Sequence, residues 1–442
     1  MSADVMIGLE AHVSLRTRSK LFCGCDADAL ASPAPNTHVC RICTGQPGAK
    51  PRAANAAALA AAVRLARALG MTIQPRARFL RKHYFYPDLA SNYQRTSEPI
   101  ATGGALAGCA LWELHVEEDP GAYDPETGRV DYDRSGAPLV EIVSAPELTS
   151  PAHARRFLQE LRLALGYLDI GRDAAGVKAD CNASVGGGSR VEVKNVSGAR
   201  NVERALAHEV ERQRREGALR ETRHFDEASG TTRPSRAKET EADYRAFPDP
   251  DLAPLDVEAL AARVPDEESP FARRARLAGL VGVEEDEIAP LLEERALADL
   301  LERNPTRTRY QFLLRDLRAE LDHRATTLAA STITPQDVEA LLAARETDRI
   351  PPAVATRLLR HTFDHKGLGA ALDDELRASH TSDSADEAAA ATIAANPKAV
   401  QDYHAGKPTA LNYLLGQAMR HTHGRTPPDT LRAALQRQLQ HP

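Results

Sequence analysis

The sequence predicts an α+β protein: a mixed strand-and-helix region carrying a metal knuckle, followed by a region that is helical to the C-terminus. Three observations carry this reading. Residues 1 to about 260 run as short alternating apolar and polar stretches between polar turns, the two-residue period of half-buried strands. From about residue 263 apolar residues recur at three- and four-residue spacing instead, and no alternating strand is found among them. Four of the six cysteines fall in one stretch, "LFCGCDADALASPAPNTHVCRICTGQPG" at 21–48, as a Cys-x-Cys pair and then a Cys-x-x-Cys pair.

The 442 residues exceed one compact core, so two or three domains are expected. With 42% hydrophobic and 27% charged residues the composition is that of an ordinary globular chain, which excludes disorder over most of its length. The opening "MSADVMIGLEAHV" has no basic run followed by an apolar core. The best apolar stretch, "AALAAAVRLARALGM", is interrupted by Arg64 and Arg67 and is too short to span a bilayer. A cytoplasmic protein without membrane attachment is expected. In a reducing compartment the clustered cysteines are poor disulfide candidates. Cys23, Cys25, Cys40 and Cys43 suit a closed tetrathiolate site, the geometry of structural zinc; free thiols and another metal or redox use are the alternatives. Cys109 and Cys181 stand alone and read as small buried residues.

Along the first region, "IGLEAHVS" places Ile7, Leu9, Ala11 and Val13 on one side of a strand and Glu10 and His12 together on the other. "LWELHVEED" sets Trp112, Leu114 and Val116 against Glu113, His115 and Glu117, after which Glu118 and Asp119 turn the chain. "PLVEIVS" carries Glu141 in an otherwise buried run. "KADCNASV" groups Asp180, Asn182 and Ser184, and "RVEVKNV" groups Glu192 with Lys194. Singly, each such face fits a solvated sheet surface. Together they give five strands rich in Glu, Asp, Asn and His, an anionic face that calls for cations. Oxygen ligands with one imidazole suit Mg²⁺ or Mn²⁺ and, through the metal, nucleotide phosphates; Lys194 can meet a phosphate as a point charge. No Walker loop, dinucleotide fingerprint or kinase catalytic loop is present. "GGGS" at 186–189 reads as a hairpin turn.

Two helices are clear. One has Ser150 as N-cap, Pro151 at its first position and a stripe of Phe157, Leu158, Leu161, Leu165 and Leu168. The other carries Val202, Leu206 and Val210 and stops at Gly217. Within the helical pattern that runs from about 263, "RALADLLERN", "RTRYQFLLRDLRAEL" and "PQDVEALLAA" carry the spacing, a domain boundary is expected near 290, and "SHTSDSADEAAAA" marks a second break.

The motifs "IGLEAHVSL", "FCGC", "VCRICTGQPG", "RKHYFYPDL", "HVEEDPG", "APLVEIVSAPEL", "ADCNASV", "VEVKN", "ETRHFDE", "DYRAFPDPDL" and "NPKAVQDYHAGKPTALNYLLGQAM" occur in order from residue 7 to near the C-terminus. In these the chain closely resembles the B-subunit family of the aspartyl/glutamyl-tRNA amidotransferases. The related archaeal E-subunit family carries an extra domain before its helical tail, whereas here "DYRAFPDPDLAPL" leads straight into helices.

The resemblance implies a cradle domain over 1–292, a helical domain over 293–372 and a YqeY-like helical tail over 373–442 that binds tRNA. It implies ATP- and Mg²⁺-dependent phosphorylation of the side-chain carboxylate of Glu on tRNA(Gln) or Asp on tRNA(Asn). Amide formation then uses ammonia released by a separate amidase, the A-type partner of the complex, with a small C-type protein as third partner. Glu10, His12 and Glu118 match the family's magnesium positions, Glu141 its neighbouring acidic motif, and Lys194 joins these as catalytic. A bulge or turn is expected to re-aim Glu118 toward the others. Asp180, Asn182 and Glu192 are carried over as lining the ATP or ammonia path. Tyr84, Phe85 and Tyr86 read either as core or as a stacking surface near the tRNA end.

Against the net charge of −6, residues 397–442 hold six Lys or Arg and two Asp, a local +4. Lys398, Lys407, Arg420 and Arg425 are the expected tRNA contacts, a solvated basic face being the plainer alternative. The chain departs from the family's usual wording at "ASNYQRTSEP", at Asp133 and at "KNVSGAR". A catalytically altered paralogue that only binds tRNA or a partner is the competing reading.

Overall fold

The computed structural model describes residues 4–27, 34–172, 177–217, 219–234, 245–365, 367–379, 383–422 and 426–440. They form two compact units, Met1–Arg274 and Ala275–Pro442. The first is mixed α/β around a sheet; the second is helical throughout its described residues.

The sheet's main path uses strands β1 (Val5–Ser14), β2 (Phe79–His83), β3 (Tyr93–Ser97), β4 (Cys109–Glu118), β5 (Pro138–Ser144), β6 (Lys178–Val185), β7 (Val191–Ser197), β8 (Thr222–Asp226), β9 (Thr231–Pro234) and β10 (Phe247–Pro248). Their spatial order is β9, β8, β7, β6, β1, β5, β4, β3, β2, β10. All neighbours are antiparallel except β7 and β8. A parallel pair needs a crossover, and helix α3 (Ala199–Glu216) supplies it. With α1 (Ala56–Ala68) and α2 (Pro151–Leu168), α3 packs against the sheet.

The alternation read from "IGLEAHVS" holds: Ile7, Leu9, Ala11 and Val13 are at most 2% exposed, while Glu10 and His12 sit on the other face. Burying each large apolar side chain contributes about 1.5–3 kcal/mol, which fixes the register because a one-residue slip would drive Glu10 and His12 into that core. Ser150 caps α2 by accepting from the His153 N–H, and Gly217 ends α3 at φ 74°. The glycine run after β6 closes the β6–β7 hairpin, with Gly186 at φ 59° and Gly187 at φ 75°.

The structure corrects two strand readings. Trp112 is 54% exposed rather than on the Leu114 side. The β5–β4 register shifts between Val143 and Ser144, where Leu111 and Glu113 flank one extra residue, and that bulge turns the indole outward. The bulge expected at Glu118 is absent: Glu117 and Glu118 pair regularly with Leu139 and Pro138 and point to opposite faces.

In the helical unit, "RTRYQFLLRDLRAEL" is not one α-helix, because Phe312–Arg318 winds as a π-helix between two short α-helical turns. The helices Asp383–Ala395, Pro408–His421 and Pro428–Gln440 bring Ala389, Leu414, Ala418, Leu431, Ala434 and Leu435 into a core of their own. No helix among the described residues is long and apolar enough to cross a membrane.

Candidate active site and metal knuckle

Register assembles the polar face. β1 lies between β5 and β6, so His12 stands opposite Glu141 and Glu10 opposite Asp180, while Asn182 on β6 stands opposite Glu192 on β7. Two triads result, each with donor atoms within 4.8 Å of one another: His12, Glu117 and Glu141, and Glu10, Asp180 and Glu192.

In the first triad His12 Nε2 lies 3.3 Å from Glu117 Oε1 and 3.9 Å from Glu141 Oε1. Lys82 on β2 reaches the same carboxylates, its Nζ 3.7 Å from Glu117 and 3.8 Å from Glu141. In the second, Lys194 Nζ donates to Asp180 Oδ2 at 3.1 Å and lies 3.5 Å from Glu192 Oε1. Asn182 Nδ2 donates to Glu10 Oε1 at 3.1 Å. Among the described residues each carboxylate cluster is thus crossed by one ammonium.

The charges respond accordingly. Burial alone would lower His12, but the Glu117 hydrogen bond and the charges of Glu117, Glu141 and Asp180 raise it to about 10. Burial would raise Glu117, yet the Lys82 ammonium and His12 hold it down at about 2. Glu10 is raised by burial first and then by the like charges of Glu141, Asp180 and Glu192. Asp119, one pleat beyond Glu117, is pushed up to about 6 by burial against the pull of Arg134 and Lys178.

Glu118 is not brought to Glu10 and His12. Its Oε1 accepts from Arg95 N at 3.1 Å and Arg95 Nη1 at 3.3 Å, and Arg95 Nε is also held by Asp249 at 2.7 Å. The reason is the strand period: with no bulge there, adjacent residues of β4 face opposite ways, and Glu117 is the one that joins the triad. The alternation in "LWELHVEED" already grouped Glu117 with His115, so the signal was present. Lys82 carries no such signal, because "RKHYFYPDL" is distinguished by its aromatics. Of those, Phe85 is 85% exposed and Tyr86 46%, so neither is core.

Cys23, Cys25, Cys40 and Cys43 converge. Cys43 Sγ lies 4.0 Å from Cys25 Sγ and 3.9 Å from Cys40 Sγ. A disulfide needs about 2.05 Å, whereas the edge of a tetrahedron with Zn–S bonds of about 2.3 Å is about 3.8 Å. The four thiols therefore fit a tetrahedral soft metal. Gly45, at φ 63°, makes the Cys40–Cys43 turn fit: a Cβ there would fall 2.3 Å from Ala90 O. Asp133 also serves this loop, accepting from His38 N at 2.7 Å and Thr37 N at 3.3 Å. Cys109 and Cys181 are buried and apart from the cluster.

A family described as the GatB/GatE catalytic domain matches residues 5–262, and one described as the GatB domain matches 297–439. Curated relatives named as the B subunit of aspartyl/glutamyl-tRNA(Asn/Gln) amidotransferase include one from Methanopyrus kandleri, 40% identical over 99% of each chain. The chain belongs to this amidotransferase B-subunit family. Others of that name, from Methanothermobacter thermautotrophicus and Methanosphaera stadtmanae, are each 40% identical, over 96% and 95% of this chain and 97% and 96% of theirs. As a member of the B-subunit family the chain is a component of an amidotransferase enzyme, and both triads and the knuckle lie inside the matched catalytic domain.

In this family member the basic tail residues Lys398, Lys407 and Arg420 are exposed, with Lys407 Nζ 2.7 Å from Asp402 Oδ1. Arg425 lies outside the described residues.

Proposed function

We propose that this chain activates the side-chain carboxylate of Glu on tRNA(Gln), Asp on tRNA(Asn), or both, using ATP, and then converts it to the amide. A carboxylate oxygen attacks the γ-phosphorus of ATP and ADP leaves. Ammonia, released from glutamine by an A-type amidase partner that is held in place by a small C-type protein, attacks the resulting acyl phosphate; phosphate leaves with the C–O electron pair, and the nitrogen loses its extra proton. The names of the relatives support the amidotransferase role.

The observation that carries the chemistry is the pair of acidic triads, each crossed by a lysine, on one sheet face. Carboxylate oxygens are the donors that hold Mg²⁺, and Glu10, Glu117, Glu141, Asp180 and Glu192 supply them. Mg²⁺, when bound, offsets charge on the transferring phosphoryl group. Lys82, Lys194 and the His12 imidazolium meet phosphate oxygens, and Asn182 orients Glu10. Glu118 acts from outside the triads by holding Arg95. The Cys23, Cys25, Cys40 and Cys43 knuckle holds structural zinc. Residues 1–292 make the cradle, 293–372 a helical domain, and 373–442 a tail whose Lys398, Lys407, Arg420 and Arg425 contact tRNA phosphates.

The test is ADP formation and amide product with the chain, its amidase partner, glutamine, ATP and Mg²⁺, on Glu-tRNA(Gln) and Asp-tRNA(Asn) separately. Turnover that needs Mg²⁺ and misacylated tRNA is expected on at least one. Binding of both tRNAs without ADP release would leave only a tRNA-binding protein.

A further inference from the structure

Lys20 is 1% exposed, a depth at which an ammonium needs a compensating charge. Among the described residues no carboxylate oxygen lies within 4.0 Å of it. What its Nζ meets is Cys43 Sγ at 3.6 Å and the Tyr132 carbonyl at 3.2 Å. A neutral thiol and a carbonyl do not balance an ammonium. Four thiolates around Zn²⁺ do, because that cluster carries a net charge of about −2.

The surroundings hold Lys20 at this post from both halves of the knuckle. Its backbone N–H donates to Cys25 O at 3.0 Å, tying it to the first cysteine pair. Leu21 N donates to Gly136 O at 2.8 Å. At Gly136, φ 80°, a Cβ would lie 3.5 Å from Cys43 Cβ and 3.8 Å from Lys20 Cδ, so the lysine stem and the second cysteine pair pack around one glycine. Ser135 Oγ fixes the same segment by donating to Cys43 O at 2.9 Å.

We infer that Lys20 is the knuckle's internal counter-charge: its buried ammonium donates to the Cys43 thiolate and slows loss of the zinc. The inference rests on the zinc reading given above and adds a residue to it. Groups that hydrogen-bond metal ligands from outside the coordination sphere typically change metal affinity by about 10–100-fold when removed. Lys20 touches neither triad's donor atoms, so its removal acts on the knuckle.

The experiment uses the full-length chain and Lys20→Met, which keeps the stem's length and removes the charge. Zinc content is measured first, then zinc release to a chromogenic chelator, then the sulfur-to-cobalt charge-transfer band of the Co²⁺-substituted protein. Wild type is expected to hold one zinc per chain. Lys20→Met is expected to release it about 10-fold faster or more, with the cobalt band moved to longer wavelength, since an unbonded thiolate is the better electron donor. A wild-type chain that binds no zinc overturns the zinc reading and the inference with it. Stoichiometric zinc with a release rate within about twofold of wild type and an unmoved band overturns the Lys20 inference alone. Should Lys20→Met not fold, Lys20→Gln, which keeps an N–H donor without charge, decides by the same readouts: intermediate release supports the inference, and wild-type release overturns it.

Discussion

Replacing Glu117 by Gln tests the electrostatics of the His12 triad. His12 is raised from 6.5 to about 10, a shift equivalent to about 5 kcal/mol between its two protonation states. Coulomb's law for the 3.3 Å pair at an effective dielectric constant of about 20 gives a similar value, about 5 kcal/mol. Not all of that belongs to Glu117: Glu141 lies 3.9 Å from the same nitrogen, and the imidazole side chain keeps 27% exposure to screening solvent. The expected effect of Glu117→Gln is therefore about half, a drop of about 1.5–2 pH units in the His12 midpoint and about 2–3 kcal/mol of stability. A raised histidine stabilises the fold fully below pH 6.5, and that stability is lost as pH rises through about 10. A depressed Glu117 stabilises above pH 4.5, and that is lost as pH falls through about 2. The assay is a ¹³C-histidine NMR titration of the metal-free chain, assigned with His12→Asn and paired with urea unfolding at pH 6 and pH 10. A wild-type His12 midpoint near 6.5, or one that Glu117→Gln does not move, would refute the reasoning.

Mg²⁺ held as proposed would compete with the His12 proton for Glu117 and Glu141, so its binding should tighten as pH rises toward 10; calorimetry in buffers of different ionisation enthalpy should show proton release. Glu118→Gln keeps an acceptor for Arg95 N and leaves Arg95 paired with Asp249, so it should leave Mg²⁺ affinity unchanged, the reverse of what a magnesium ligand at that position requires. Changing Lys398, Lys407 and Arg420 together to Glu should weaken tRNA binding and reduce its salt slope by about two to three, measured by filter binding, with zinc content unaltered. Deleting the chain beyond residue 372 should do the same more strongly.

Much of the site was legible because it depends on local periodicity. The two-residue period of "IGLEAHVS" put Glu10 and His12 on one face, and the same rule grouped Asp180 with Asn182 and Glu192 with Lys194. The motif wording pointed to the family, and Cys spacing pointed to the knuckle. At Glu118 the resemblance and the strand period point to opposite faces, and the structure follows the period. At Trp112 the opposite holds: a bulge broke the period, and nothing in "ALWELHV" announces one.

By itself, then, the sequence determined which residues share a face within each strand, the helix start at Ser150 and the stop at Gly217, and the mixed-then-helical order of the chain. All of these are set by interactions a few residues long. Only tertiary structure decided that β1 lies between β5 and β6, which makes two separate triads of five strands' worth of acids. It also decided that Lys82, from a strand far along the sheet, neutralises one of them, and that a buried Lys20 stands against Cys43. Those pairings depend on hydrogen-bonded register between segments far apart in the chain, such as Glu10 with Asp180, 170 residues on, and local patterning carries no information about which strand will lie beside which.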